Sequence, residues 1–280
     1  MSTLSQTLFD FAERFLSPEE REQLERLKVN DEGTGYDPFG LNLEHVKLGL
    51  ALGKPLYDRY FRVLSQGAEN VPKEGPAILA GNHSGTLPFD AAMLWVDSVR
   101  SVGRVARPIG DFFVSDLPFL GTLFNRGGMV GGARPNVRGL LESGELVMIF
   151  PEGVPGIGKP FYERYRLQHW RIGHAELSIR HRAPVVPVAI VGAEEQMPQL
   201  AKLTRVGRLF GVPYLPITLT PIPLPVRYRI YYGEPLVLHE RFRPEDADDP
   251  GKVREAAALI KTAVEELVKR GLREREGIFK

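Results

Sequence analysis

Residues 146–150 (Leu-Val-Met-Ile-Phe) and 185–191 (Val-Val-Pro-Val-Ala-Ile-Val) are apolar at every position. A strand without polar alternation must be covered on both faces, which places it in a sheet sandwiched between helices. A third apolar run, 76–80, reads as a short buried strand that ends at Gly81. Helical patterns at 88–99, 116–124, 136–143 and 171–182, and strand patterns at 62–65, 102–109 and 226–232, surround these runs. The alternation predicts an α/β fold with a mixed, largely parallel central sheet flanked by helices. Pro187 removes a ladder donor inside the 185–191 run, which predicts an edge strand or a bulge. Residues 193–203 read as at least partly helical. Residues 211–225, with five prolines, read as irregular, and 253–269 as an amphipathic closing helix.

The first 60 residues have a different texture. Leu4, Leu8, Phe11, Ala12 and Phe15 recur at helical spacing, predicting an amphipathic helix over 3–16. Ser17-Pro18-Glu19-Glu20 is a capping box with proline at the first helical position, so a second helix runs to about residue 27. Asn42 caps a third, through about Tyr60 with a kink near Pro55. The expected organisation is an N-terminal helical extension, 1–60, followed by an α/β domain, 61–280. The apolar stripes of the extension pack on that domain or lie on lipid.

Composition removes several classes of function. The formal net charge of +1 argues against a nucleic-acid binder. The absence of cysteine excludes a disulfide framework and a thiolate metal site, and fits a reducing compartment. No signal peptide is evident. The apolar runs are far shorter than the ~20 residues that span a bilayer, so membrane contact is expected to be peripheral. The histidines form no His-Glu-x-x-His pattern, and no metal site is expected.

Four loops carry polar chemistry. Asn82 and His83 leave the strand that ends at Gly81, and Asp90 follows at the head of an apolar helical segment. A carboxylate beside an imidazole can fix its tautomer and stabilise its charged form. Equally, a loop histidine and a helix-capping aspartate need never meet. Arg126, beside Gly127 and Gly128, suits a phosphate through bidentate bonding, or is a surface arginine in a turn. Phe150-Pro151-Glu152-Gly153 follows an apolar strand, where Glu152 can bind substrate hydroxyls or cap the loop. The fourth block is Val186-Pro187-Val188. Ser84 is no nucleophile elbow, because Asn82 and Thr86 stand where the flanking glycines belong.

In this order and at these separations the four blocks resemble those of the glycerophospholipid acyltransferase superfamily. The flanking stretches 67–72 and 191–195 are similar to those of bacterial members, including relatives of diacylglycerol and wax-type acyltransferases, so that the likeness covers roughly 61–240. Family members usually place four residues between His and Asp, whereas here residues 84–89 make six. The likeness is to a subgroup with longer spacing, in which either Asp90 returns to the same place or the dyad is altered.

The resemblance implies an O-acyltransferase moving a fatty acyl group from acyl-CoA or acyl carrier protein, as co-substrate and with no cofactor, to a lipid acceptor. Lysophosphatidate is the first expected acceptor, and diacylglycerol or a long-chain alcohol the second. His83 would be the general base and Asp90 its orienter. Arg126, Glu152 and Gly153 would bind the acceptor, and Pro187 would shape the site. The implied location is cytoplasmic, peripheral on the inner face of the cell membrane. A non-catalytic lipid-binding relative and a hydrolase are the alternatives. Two basic stretches, 100–138 and 159–182, are candidates for phosphate or anionic headgroups, and the apolar loop 209–224 for lipid contact.

Overall fold

The computed structural model describes residues 14–27, 29–31, 33–116 and 119–280. The helix expected over 3–16 lies almost wholly outside them. Helix α1 (Pro18–Glu25) starts on the capping box: Ser17 Oγ accepts from Glu20 N–H, and Ser17 N–H donates to the Glu20 carboxylate at 2.8 Å. Helix α2 (Leu43–Pro55) is capped by Asn42 and widens into a π turn, Leu56–Tyr60, at the proline that cannot donate.

The strands are β1 (Leu64–Gln66), β2 (Ala77–Gly81), β3 (Arg107–Gly110), β4 (Val130–Gly131), β5 (Leu146–Ile149), β6 (Val185–Val191), β7 (Gln199–Leu203), β8 (Leu215–Thr218) and β9 (Arg229–Tyr232). Seven form the central sheet, in the order β1-β9-β6-β2-β5-β3-β4. Every pairing is parallel except β6 with β9, so β1 and β9 run against the other five. The remaining helices are α3 (Phe89–Asp97), α4 (Phe112–Ser115), α5 (Leu120–Arg126), α6 (Arg134–Glu142), α7 (Val154–Ile157), α8 (Gly173–His181), α9 (Ala193–Gln196), α10 (Thr204–Leu209) and α11 (Pro250–Glu274).

The pleat divides the core in two. Ala77 and Leu79 of β2, Leu146 and Met148 of β5, and Val186, Val188 and Ile190 of β6 face one layer, with α2 and α3. Ile78, Ala80, Val147, Val185 and Ala189 face the other, with α6, α8 and α11. Leu24, Val46 and Leu50, from the N-terminal 60 residues, belong to the first layer.

Two expectations are corrected, and a third, for residues 193–203, is sharpened. β6 is neither an edge strand nor bulged, since it lies between β9 and β2 and is buried throughout. Pro187 is tolerated because its carbonyl accepts from Gly233 N–H (2.8 Å), just past the end of β9. The N–H and C=O of a strand residue face the same side, so the missing donor falls where β9 has ended. Residues 193–203 are helical only over α9 and then form β7. The proline-rich stretch contains β8, which pairs antiparallel with β7 in a separate two-stranded ribbon.

Candidate active site

β2, β5 and β6 are mutually parallel, so their carboxyl ends share one edge of the sheet. The Asn82 side chain extends the ladder one step beyond β2. Its Nδ2 donates to the Ile190 carbonyl at 3.0 Å, and its Oδ1 accepts from Ile190 N–H at 2.8 Å. An amide in that position replaces a backbone pair and sets where the chain leaves the sheet.

His83 comes next. Its Nδ1 lies 2.7 Å from Asp90 Oδ2, and its ring stacks on Phe150 with centroids 4.3 Å apart and planes 19° apart. The same Asp90 oxygen accepts from Ser84 N–H at 2.7 Å, while Oδ1 accepts from Ala91 N–H at 2.8 Å. Asp90 is fully buried in the first turn of α3. A carboxylate that receives Nδ1–H leaves Nε2 with its lone pair. Among the described residues Nε2 has no hydrogen-bond partner.

The six-residue spacing therefore leaves His83 and Asp90 hydrogen bonded, because the loop between them folds back. Gly85 turns it with φ +77°. A β-carbon there would lie 2.6 Å from the Ala193 carbonyl oxygen. Thr86 Oγ1 donates to the Met197 carbonyl, and Gln196 Nε2 to the Leu87 carbonyl. The loop is thus seated on the segment that follows β6. Thr86, Ile157, Phe161, Met197 and Gln199 wall a pocket beside it. Ser84 Oγ is buried without a partner and does not bond His83.

Glu152 faces the dyad from the loop after β5. It is 1% exposed, and both its oxygens are engaged. Oε1 accepts from His83 N–H at 3.0 Å, and Oε2 from Gln168 N–H at 2.6 Å. Lys159 Nζ stands 3.6 Å from Glu152 and donates to Glu194 at 3.0 Å. Burial pushes the Glu194 carboxyl up to about 7, against the pull of Lys159. Gly153 has φ 58° and ψ −149°, a backbone region essentially confined to glycine. Gly156 is packed so closely that a β-carbon would lie 2.8 Å from Glu152 Cβ and 3.1 Å from His83 Cβ.

The structure brings together His83, Asp90 and Glu152, with Gly153 on the same loop as Glu152. Arg126 sits at the end of α5 with its guanidinium 4.0 Å over the Tyr36 ring, and its carbonyl accepts from Asn42 N–H. No hydrogen bond or ion pair joins it to His83 or Asp90 among the described residues. The basic stretch 100–138 is dispersed into separate contacts. Arg100 pairs with Asp58 and Glu20, Arg107 with Asp37, Arg134 with Glu176 and Arg138 with Glu142, while Arg104 bonds backbone carbonyls.

Sequence reasoning missed Glu194 and the Phe150 stack as parts of the site, and read Lys159 only as the start of a basic stretch rather than as the partner of buried carboxylates. Glu194 stands two residues past the glycine that ends β6, and its position after an apolar strand was the available signal. Arg171, within the basic stretch 159–182, borders the loop: its Cζ would lie 3.5 Å from a β-carbon on Gly153, and its guanidinium is exposed.

Comparisons with known proteins agree with this architecture. The family model described as Acyltransferase matches residues 62–191. An uncharacterized protein of Mycobacterium tuberculosis is 38% identical over 260 residues, covering 88% of this chain and 70% of that protein. The human protein named DGAT1/2-independent enzyme synthesizing storage lipids is 28% identical over 192 residues, covering 66% of this chain and 57% of its own. The fold is similar to the crystal structure of the 1-acyl-sn-glycerophosphate acyltransferase PlsC from Thermotoga maritima, with a TM-score of 0.56 and 17% identity over 98% of this chain and 97% of that one. The chain belongs to the acyltransferase family and is an enzyme of that family.

Proposed function

We propose that the protein transfers a fatty acyl group from a thioester, acyl-CoA or acyl carrier protein, to a hydroxyl of a glycerolipid. The observation that carries this reading is the 2.7 Å bond from His83 Nδ1 to Asp90, which leaves Nε2 as the basic nitrogen. Nε2 takes the acceptor's hydroxyl proton as the oxygen attacks the thioester carbonyl. Asp90 stabilises the imidazolium, and backbone amides of the surrounding loops stabilise the tetrahedral oxyanion. The C–S bond then breaks, and the thiolate leaves with the proton returned from His83. The transfer is direct, with no acyl-enzyme.

Arg126 and Gly153 contribute to holding the acceptor. Glu152 supports that role through the loop, because its oxygens are occupied by backbone donors. Lysophosphatidate is the first acceptor. A neutral acceptor, diacylglycerol or a long-chain alcohol, is the second reading, favoured by the similarity to proteins named for storage-lipid synthesis. The chain works at the cytoplasmic face of a membrane as a peripheral protein. A donor-by-acceptor assay with mass spectrometry of the lipid product tests the proposal. His83→Ala is expected to lose at least ~10²-fold in thioester consumption. Normal turnover in that variant would overturn the mechanism.

A further inference from the structure

The β7–β8 ribbon with α10, residues 199–218, stands apart from the central sheet. A lone two-stranded ribbon is marginal in water unless something packs on it. Here it presents apolar side chains outward: Leu209 is 82% exposed, Phe210 68%, and Leu219 and Ile222 just beyond it 66% each. Leu200 and Leu203 on β7 are exposed as well. Interleaved among them are Lys202, Arg205 and Arg208, all exposed, and none is in an ion pair among the described residues. No acidic residue occurs between Glu195 and Glu234.

The ribbon leaves the sheet from the carboxyl end of β6, the edge that carries His83. Other large exposed apolar side chains follow carboxyl ends on the same edge, namely Leu87 after β2, Phe119 after β3 and Tyr162 after β5. The segments after β3 and β5 mix charges, with Asp111, Asp116 and Glu163 beside exposed Arg164 and Arg166, whereas the ribbon carries cations alone.

We infer that the 199–222 ribbon is a membrane-docking element whose partner is an anionic phospholipid surface, into which Leu209 and Phe210 insert while Lys202, Arg205 and Arg208 meet the headgroups. Outward apolar side chains flanked by cations, without acids, match the chemistry of that interface. The inference rests on the acyl-transfer reading, because it places the lipid at the edge where the dyad opens.

The test is flotation of the full chain with vesicles of phosphatidylcholine plus phosphatidylglycerol, and with phosphatidylcholine alone. Wild type is expected to bind the anionic vesicles, less tightly at high salt. Leu209→Asp with Phe210→Asp, and separately Arg205→Glu with Arg208→Glu, are expected to weaken binding by at least roughly tenfold. Both pairs should keep the wild-type melting temperature and wild-type turnover of short-chain, water-soluble substrates. Wild type that does not bind, or variants that bind like wild type, would overturn the inference. So would a defect seen only as loss of a self-associated species in ultracentrifugation, or only with an acyl carrier protein donor. Ribbon-dependent binding without any acyl transfer would instead sink the acyl-transfer reading and leave the docking element standing.

Discussion

Asp90 holds the histidine and the loop through one oxygen, which separates its orienting role from its charge. Asp90→Asn keeps one carbonyl oxygen for two donors, and its amide nitrogen cannot accept. Placed at Oδ2 that oxygen still takes both, but Ala91 N–H then faces the amide, and the negative charge that stabilises the imidazolium is gone. Turnover is expected to fall by at least ~10²-fold with an ordinary circular dichroism spectrum, measured as kcat on a soluble thioester. Gly156→Ala tests the packing behind the ring. Its β-carbon would meet Glu152 Cβ at 2.8 Å and the His83 carbonyl oxygen at 3.0 Å, neither of them the far end of a flexible side chain. Overpacking of that kind costs about 1–3 kcal/mol, read as a lower melting temperature, with activity falling further than stability because the dyad moves. His83, Asp90 and Glu152 were all legible as chemistry-bearing residues at strand ends. That Glu152 would turn inward was not, because its partners are backbone amides of His83 and Gln168, which no side-chain pattern records.

Among the elements, those with local signals were read well. The capping box of α1, the Asn42 cap of α2 and the run that became β6 are each specified by neighbours in sequence. Elements whose state depends on a distant partner were misread. β6 looked like an edge strand because Pro187 cannot donate, but the position opposite belongs to Gly233, beyond the end of β9. β8 looked irregular because nothing in residues 211–225 announces β7 as its partner. α8 carries a testable pH dependence. His174 Nδ1 donates to the Arg171 carbonyl, Nε2 is buried unpartnered beside Trp170, and burial pushes the imidazole down to about 4. The unfolded chain protonates near 6.5. Between those values the unfolded state binds the extra proton, so stability is lost as pH falls from 6.5 towards 4, by about 3 kcal/mol in all. His174→Asn should flatten that slope in urea melts taken at pH 7 and pH 5. An equal slope in the variant would assign the loss to other groups.

At the scale of the molecule, buried polar hubs join segments far apart in the chain. Arg107, 1% exposed, bonds Asp37 from the N-terminal 60 residues at 2.5 Å and the Gly128 carbonyl at 2.9 Å. Asp97 accepts from Tyr57, Ser65, Ser101 and Tyr232, and so ties α3 to β1, β9 and the turn after α2. Asp37→Ala leaves the buried Arg107 charge only Glu145, 3.7 Å from its Nη1, and is expected to cost about 3 kcal/mol in denaturant unfolding, while Asp37→Ala with Arg107→Met should recover part of it. None of these pairings was visible in composition or periodicity, which is why arginines 100 to 138 read as a phosphate-facing cluster. Spacing along a chain says which charges are near each other in sequence, and burial decides which of them are already neutralised.

The hydrogen bond from Ser84 N–H to the Asp90 oxygen that holds His83 has a use of its own. That amide proton can exchange with solvent only when the carboxylate lets go of it. Its hydrogen–deuterium exchange rate is therefore a clock on the opening of the dyad, readable by NMR in the resting enzyme without donor, acceptor or membrane.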